Sequence, residues 1–269
     1  MAASHGKSWI SSKTFKRSLA DRKTPKNSGG SAPHGRSLFG RRIGRPLSAH
    51  KKDVLKRLLP TYEIPPETLV QPGTLNPENL FKKKYSEYWF EIGFGYGEHL
   101  TELSLRNPKT GYIGAEPFIN GMAALLSDLD KTPAENIRVM MDDAMLLARA
   151  LGKNTLDGIF ILNPDPWHKT RHHKRRIVNR DNLDIFHRIL KPGGRLIMTS
   201  DVEALSEWMV THVASHPGFE WTAKNAKDWQ EPPLGWSATR YETKRAKNAK
   251  KMCYLLFRKK GMKGSEKSP

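Results

Sequence analysis

The sequence predicts an α/β protein built on a parallel, doubly wound sheet. Short apolar runs alternate with amphipathic stretches of about 10–15 residues, an order typical of βαβ units. The chain has 269 residues and 37% hydrophobic content, enough to bury one sizeable core with tails. It shows no internal repeat. We therefore expect one domain with helices on both faces of its sheet.

Each predicted element is recognised by its apolar spacing and by the residues that bound it. The predicted strands are Tyr88–Ile92, Tyr112–Ala115, Ile137–Met141, Gly158–Leu162, Arg195–Thr199, Phe219–Thr222 and Met252–Phe257. The predicted helices between them are Glu98–Arg106, Phe118–Leu129, Ala144–Leu151, Asn179–Leu190 and Val202–Ser215. An earlier helix over Ala49–Leu59 is expected to end at Pro60, because proline cannot continue it. Residues 60–86 then form an irregular lead-in.

Positive charge is concentrated in the tails of the chain. The whole sequence carries +19, but residues 1–52 hold 13 Lys and Arg against one acid, and residues 244–269 hold 10 against one. A strongly basic chain favours a polyanionic partner such as RNA, because cations that neutralise phosphates release counterions. We expect a basic, disordered arm over 1–48, one domain over 49–260 and a basic tail over 261–269.

The sequence also favours a cytoplasmic protein. It has no signal-peptide apolar stretch and no run long enough to cross a membrane. Its single cysteine, Cys253, cannot form an internal disulfide and lies in a predicted strand. The Ser-, Arg- and Lys-rich start also resembles an organellar transit peptide, which leaves that alternative open. Monomer and homodimer are both compatible with the sequence, and no obligatory protein partner is indicated.

A glycine turn joins the first predicted strand to the first predicted helix. Its spacing, Gly-x-Gly-x-Gly over 93–97, differs from the Gly-x-Gly-x-x-Gly that seats a pyrophosphate. Glu116 ends the next strand, where a carboxylate accepts hydrogen bonds from ribose hydroxyls. Asp142 and Asp143 follow the third strand, although Asp143 also suits a helix N-cap. A ligand with ribose and adenine but no pyrophosphate fits these features, and S-adenosylmethionine is one.

The segment from Asn163 to Arg176 combines one acid with an aromatic ring and many cations. Asp165 stands beside Trp167 on a proline-stiffened turn, and five cations and three histidines follow within residues 168–176. Such a run repels itself unless an anion is present, so RNA contact is favoured over a solvated helix face. The histidines suggest a metal, but the surrounding cations oppose a divalent ion, and we expect none. Trp167 either stacks on a base or packs on the protein.

Four motifs together resemble the bacterial tRNA (guanine-N7-)-methyltransferase family. They are the glycine turn Glu91–Gly95, the segment Pro164–Lys169, the basic run Arg171–Arg176 and the late segment Thr239–Glu242. The resemblance extends from about Tyr88 to Phe257. The proline-tryptophan-basic motif is its most specific part.

The resemblance implies a Rossmann-like class I methyltransferase fold with a mostly parallel, seven-stranded sheet. It also implies S-adenosylmethionine as methyl donor, tRNA as partner and N7 of guanine 46 in the variable loop as acceptor. Asp165 would lie at the catalytic centre, orienting the guanine and offsetting its developing charge. The residues implied for donor binding are Glu91, Gly93, Gly95, Glu116, Asp143 and Asp165. Those implied for substrate binding are Lys169, Asp201, Thr239, Arg240, Tyr241 and Glu242. Those implied for RNA contact are Arg171, His172, Lys174, Arg175 and Arg176.

Three positions depart from the family pattern. Asn163 stands where bacterial relatives usually carry an aromatic residue, Ser200–Glu203 replaces the more familiar Thr-Asp-Trp-Glu, and Tyr241 replaces a usual Phe. None of these changes removes a carboxylate. They bear on recognition of the substrate rather than on the type of reaction.

Three other readings of the sequence are weaker. An enzyme that methylates an exocyclic amine uses an Asn-Pro-Pro-aromatic motif, and Asp165 interrupts that spacing here. A non-catalytic RNA-binding module has no need of a ribose-reading carboxylate. A dinucleotide-dependent oxidoreductase is disfavoured by the glycine spacing and the basic run.

Overall fold

The computed structural model describes residues 40, 42–239, 241–243 and 251–261. Three predicted features lie wholly or partly outside the described residues: most of the basic arm, Arg240, and the C-terminal tail after its first residue. None of the helices in the described ranges is both long and apolar enough to cross a membrane.

The structure confirms the predicted α/β fold. A seven-stranded sheet has the order β3-β2-β1-β4-β5-β7-β6. Its strands are β1 Glu87–Ile92, β2 Thr110–Ala115, β3 Ile137–Met140, β4 Leu156–Leu162, β5 Leu190–Ser200, β6 Phe219–Trp221 and β7 Cys253–Lys259. β1 to β5 pair in parallel, whereas β7 is antiparallel to both β5 and β6. The sheet is therefore mostly parallel, with its antiparallel pairings confined to one side.

Helices connect the strands along the chain. They are α1 Ala49–Tyr62, α2 Glu98–Arg106, α3 Ile119–Lys131, α4 Ala144–Ala150, α5 Arg180–Ile189, α6 Glu203–Ala214 and the single turn α7 Lys227–Gln230. Alternate residues of β1 belong to two different hydrophobic clusters: Phe90 and Ile92 to one, Trp89 to the other. Because successive side chains of a strand point to opposite faces, both faces of the sheet are covered.

The strand order places a switch point between β1 and β4. β1 pairs with β2 on one side and with β4 on the other. The connection that follows β1 therefore leads toward one edge of the sheet, and the connection that follows β4 leads toward the opposite edge. In open α/β sheets, ligands bind beyond the carboxyl ends of the strands at such a point. The glycine turn follows β1 and the Asp165 segment follows β4, so both border this crevice.

Two expectations about elements are wrong in detail. Pro60 does not end α1, which continues to Tyr62. A proline in the last turn leaves one carbonyl, that of Lys56, without its helical N–H partner, and Lys56 is exposed, so water can satisfy it. β5 begins at Leu190, five residues before the predicted strand, and its pairing with β4 shifts register between Leu156 and Gly158. Pro192 and two glycines at this irregularity hide the start of the strand from its apolar pattern.

The last residues of the predicted disordered arm pack on the domain. The N–H of Ile119 donates to Arg42 O at 3.0 Å. The side chain of Asn120 accepts from Gly44 N at 2.9 Å and donates to Arg45 O at 2.8 Å. Residues 42–45 therefore lie across the beginning of α3, next to the loop that carries Glu116.

Candidate active site

All three glycines of the turn after β1 adopt left-handed backbone conformations. Their φ angles are +72° at Gly93, +59° at Gly95 and +83° at Gly97. Residues that carry a Cβ are disfavoured at these positive φ angles, so the path of the turn requires glycine. Gly93 N donates to Ala115 O at 2.9 Å, which ties the turn to the end of β2. The turn thus presents bare backbone to the crevice between β1 and β4.

Glu116 fixes this turn from the neighbouring strand. Its Oε2 accepts from Gly95 N at 2.8 Å, and its Oε1 accepts from Phe118 N at 2.9 Å. The carboxylate is buried at the end of β2. Each oxygen has a further lone pair for a ribose hydroxyl, so a structural role and the predicted donor contact are compatible.

The pKa of Glu116 is raised above its usual range, chiefly because the carboxyl is buried. The hydrogen bonds from Phe118 and Gly95 oppose this shift, whereas the negative charges of Asp165 and Glu91 add to it. Carboxylates from the ends of β1 and β4 are therefore close enough to Glu116 to act on it at this edge of the sheet.

Donor binding is expected to weaken as the pH falls through the raised pKa of Glu116. Protonation removes the negative charge of the carboxylate, so Glu116 accepts the two backbone N–H groups more weakly and holds the glycine turn less firmly. The stability contribution has the opposite sign: the folded state holds this proton more tightly than the unfolded chain, so burial of Glu116 costs stability at higher pH and protonation relieves that cost. Weakening of donor binding on acidification therefore does not reflect unfolding caused by this group.

The measurement is the dissociation constant of S-adenosylmethionine as a function of pH for the parent and for Glu116→Gln. We expect the variant to bind about tenfold more weakly at neutral pH, since one hydrogen bond to a charged acceptor is lost. Its affinity should also be nearly independent of pH. An acid-side loss of affinity in the variant equal to that of the parent would exclude Glu116 as the titrating group.

Asp143 caps α4, as its alternative role predicted. Its Oδ1 accepts from Met145 N at 2.9 Å. Asp142 lies beside it, with Oδ1 accepting from Asp143 N at 2.8 Å and standing 3.7 Å from Arg42 Nη2. These residues follow β3, which is separated from β4 by two strands. The predicted contact of Asp143 with the donor stays a prediction.

The segment after β4 is held in an unusual backbone conformation. Asn163 and Trp167 have positive φ angles of +48° and +45°, a region that non-glycine residues seldom adopt. Asn163 N donates to Thr199 O at 3.0 Å at the end of β5. Asparagine tolerates this conformation better than most residues, which gives a physical reason for the amide at this position. Between these two residues the exposed Asp165 stands at the crevice, near enough for its charge to raise the pKa of Glu116.

Trp167 contacts its own basic run. The guanidinium of Arg175 lies over the indole ring at 5.0 Å from its centroid, a cation–π arrangement. The His172 ring approaches edge-on at 5.9 Å between centroids. One face of Trp167 is thus covered by protein, so stacking on a base would use the opposite face.

Arg176 is an exception to the expectation that the basic run Arg171–Arg176 faces RNA. Only 5% of this residue is exposed. Its Nε donates to Pro166 O at 2.9 Å, and its guanidinium lies over the Trp208 ring at 4.8 Å. Burial also lowers its pKa from the ordinary value. Arg176 therefore supports the turn that carries Asp165 from inside the protein.

The rest of the run lies in a short 3-10 helix, Thr170–Arg175, at the surface. Lys169, Arg171 and Lys174 are exposed, and His172 and Arg175 are partly exposed. Desolvation lowers the pKa of His172, and the charges of Arg175, Arg171, Lys169 and Lys174 add to this. The cations are thus close enough together to form a single positive surface.

Arg176→Ala and Lys174→Ala are expected to impair different properties of the protein. Loss of Lys174 should weaken tRNA binding and reduce the slope of log affinity against log salt concentration by about one unit. Loss of Arg176 should leave that slope unchanged and lower the catalytic rate and the melting temperature, because a buried support is removed. Salt titrations of tRNA binding and thermal melts separate the two. If Arg176→Ala reduced the salt-dependence slope as much as Lys174→Ala does, Arg176 would contact RNA after all.

The predicted substrate residues come from three segments. Lys169 lies in the segment after β4, Asp201 follows the end of β5, and Thr239, Tyr241 and Glu242 lie before β7. Tyr241 OH donates to Asp201 Oδ1 at 3.0 Å, a bond that phenylalanine could not make. Glu242 N donates to Thr239 Oγ1 at 3.1 Å, and Glu242 is buried. The structure thus brings these four residues to one side of the crevice. Arg240 lies outside the described residues, and the predicted substrate contacts stay predictions.

Sequence reasoning missed a buried pair below the glycine turn. Glu91 and His99 are 2% and 3% exposed, and Glu91 Oε2 lies 3.0 Å from His99 Nδ1. The glycine turn folds α2 back onto β1, which brings these residues together. A polar residue beside Leu100 on the buried side of a helix was the available signal. Glu91 therefore has a partner inside the protein, and its predicted donor contact stays a prediction.

Within the part of the chain that the structure describes, no three His, Cys, Asp or Glu residues are grouped in a way that could hold a metal ion. The three histidines of the basic run do not form such a group. His173 packs on Trp208 with ring centroids 5.3 Å apart, whereas His172 faces Trp167.

Comparisons with known proteins identify relatives over most of the chain. A family model described as "Putative methyltransferase" matches residues 86–255. A tRNA (guanine-N(7)-)-methyltransferase of Rhizobium johnstonii is 45% identical over 228 residues, covering 83% of this chain and 94% of its own. One from Brucella anthropi is 43% identical over 221 residues, covering 82% and 94%. Among solved structures, the 16S rRNA methyltransferase KamB aligns with a TM-score of 0.49 at 13% identity, covering 66% of this chain and 89% of its own.

Proposed function

The chain belongs to the tRNA (guanine-N(7)-)-methyltransferase family, and we propose that it transfers a methyl group from S-adenosylmethionine to N7 of a guanine in tRNA. We further propose that the guanine lies in the variable loop and that the reaction takes place in the cytoplasm. The observation that carries the proposal is the convergence of the glycine turn, Glu116 and Asp165 at the switch point between β1 and β4.

The crevice suits a donor that has a ribose and no pyrophosphate. The glycine turn offers bare backbone, and Glu116 fixes Gly95 while keeping lone pairs toward the crevice. S-adenosylmethionine supplies an electrophilic methyl group on a sulfonium. Asp143, at the end of β3, and the loop around Phe118 border the side where an adenine would lie. Residues 42–45 close that side further, because they are bonded to Ile119 and Asn120.

The acceptor atom determines what the protein must do. Guanine N7 has a lone pair and no proton, so no general base is required. The lone pair forms the new N–C bond, the C–S bond breaks, and its electron pair stays on sulfur. The positive charge therefore moves from the sulfonium to the purine ring. The enzyme's tasks are to align the two reactants and to stabilise the charge that develops on the ring.

We propose that Asp165 performs both tasks. Its carboxylate stands exposed at the crevice between the rigid prolines 164 and 166. There it can accept hydrogen bonds from the N–H edge of guanine and offset the ring's new positive charge. The support of this turn by Arg176, through Pro166 O, limits its freedom to move. Lys169, Arg171, Lys174 and Arg175 continue from the same turn and would hold the adjoining phosphates.

The proposal is tested by incubating the purified protein with labelled S-adenosylmethionine and unmodified tRNA, then digesting the RNA and identifying the nucleoside. We expect 7-methylguanosine, located in the variable loop by fragment mapping. Label in an exocyclic-amine product such as N2-methylguanosine would contradict the proposed acceptor atom. 7-Methylguanosine elsewhere in the tRNA would contradict only the proposed position.

A further inference from the structure

A second buried acid, Glu242, has only one of its two carboxylate oxygens in a hydrogen bond within the described part of the chain. Glu242 is 6% exposed, and its Oε2 accepts from the indole Nε1 of Trp236 at 2.9 Å. Its Oε1 is buried and has no hydrogen-bond partner among the residues that the structure describes. A buried carboxylate oxygen without a donor is costly, so such an atom suits a site that a ligand completes.

Trp236 is itself fixed by aromatic neighbours on two elements. Its ring lies 5.3 Å from that of His99 on α2 and 5.4 Å from that of Tyr254 on β7, centroid to centroid. His99 is in turn held by Glu91 at the end of β1. The indole N–H is therefore aimed by contacts that do not involve Glu242, and it can set the orientation of that carboxylate.

The charged and titratable neighbours of Glu242 are few. Burial raises its pKa above the usual range, whereas the bond from Trp236, the charge of His99 and hydrogen bonding with Thr239 lower it. From β7, Tyr254 faces it; burial, with a contribution from Glu242, raises the pKa of that phenol to about 12. Thr239 accepts from the Glu242 backbone. Trp236 is thus the side-chain donor that most favours the ionised form of Glu242.

We propose that Trp236 is a positioning residue for the acceptor base: its indole N–H holds one oxygen of Glu242 so that the other accepts from the exocyclic amino group of the guanine, whose N1–H is left to Asp165. This inference rests on the proposed function and on the contact between Glu242 and the substrate that the family resemblance implies. The guanine would then be gripped by Asp165 and Glu242 from two sides of the crevice. His99 supports this arrangement by packing on the indole.

Trp236→Phe is the test, since it removes the N–H and keeps a ring against His99 and Tyr254. We expect kcat/KM for tRNA to fall about tenfold, the loss of one charge-assisted hydrogen bond, with the donor dissociation constant unchanged. Without the indole donor, the pKa of Glu242 rises further. The acid limb of the kcat/KM profile should therefore move to higher pH, an effect that simple loosening of the fold does not produce.

Two further variants make the result decisive. Trp229→Phe makes the same change at a tryptophan that packs against the other hydrophobic cluster, not the one that Trp236 contacts; it should leave both kcat/KM and the pH profile unaltered. In a Glu242→Gln background, Trp236→Phe should no longer shift the acid limb. A parent-like pH profile in Trp236→Phe, or a shift that persists without Glu242, overturns the inference. Absence of 7-methylguanosine from the parent reaction would instead overturn the proposed function.

Discussion

Replacing Asp165 by Asn is expected to lower the rate of methyl transfer about 10²–10³-fold, the usual cost of removing one preorganised electrostatic group. The amide has nearly the same shape, so it can still fill the turn between the two prolines. It can no longer offset the positive charge that the purine acquires. The rate should be measured in a single turnover with saturating donor and tRNA, so that binding does not limit it.

The control for this variant is donor and tRNA affinity. Both dissociation constants should stay within about threefold of the parent, because the charge is needed mainly in the transition state. The product should still be 7-methylguanosine. A single-turnover rate equal to that of the parent would show that the Asp165 carboxylate has no role in the chemical step.

Gly121→Ala is expected to abolish donor binding although the residue lies in a helix and not in the glycine turn. A Cβ at this position would stand 2.0 Å from Gly95 O and 3.4 Å from Glu116 Cγ. The first atom belongs to the backbone, so it cannot move aside as a flexible side chain would. The turn that Glu116 fixes must shift instead. We expect at least a 100-fold loss of donor affinity and a fall of about 1–3 kcal/mol in stability.

Ala124→Gly is the matched control on the same helix. It should destabilise α3 by about 1 kcal/mol through helix propensity alone. It introduces no atom near Gly95, so donor affinity should be retained. Calorimetric titration with S-adenosylmethionine, together with thermal melts of both variants, gives the comparison. Parent-like donor affinity in Gly121→Ala would mean that the turn adapts and that its observed path is not required.

Local features of the site could be predicted from the sequence because their causes are local. The glycine turn follows from residue spacing next to a strand, and the cap formed by Asp143 follows from the helix that begins after it. The parallel arrangement of most strands follows from βαβ units, whose crossovers have one hand. Glu116 and Asp165 were expected at the carboxyl edge because each ends a predicted strand or follows one.

The features that were missed depend on residues far apart in the chain. Arg176 is buried because Trp208 of α6 covers its guanidinium, and nothing in the basic run itself indicates this. The bond from Trp236 to Glu242 and the packing of His99 on Trp236 join α2 to a loop before β7. Such contacts are set by how helices pack on the sheet, which apolar periodicity does not specify.

The central claim is that Asp165 stabilises a positively charged purine. Binding of tRNA that already carries 7-methylguanosine, compared with unmodified tRNA, tests this directly when S-adenosylhomocysteine occupies the donor site. In the parent, the preference for the methylated, cationic form over the unmodified form should exceed that of Asp165→Asn by about five- to tenfold, a coupling of about 1–1.4 kcal/mol. An identical preference in the two proteins would contradict the account.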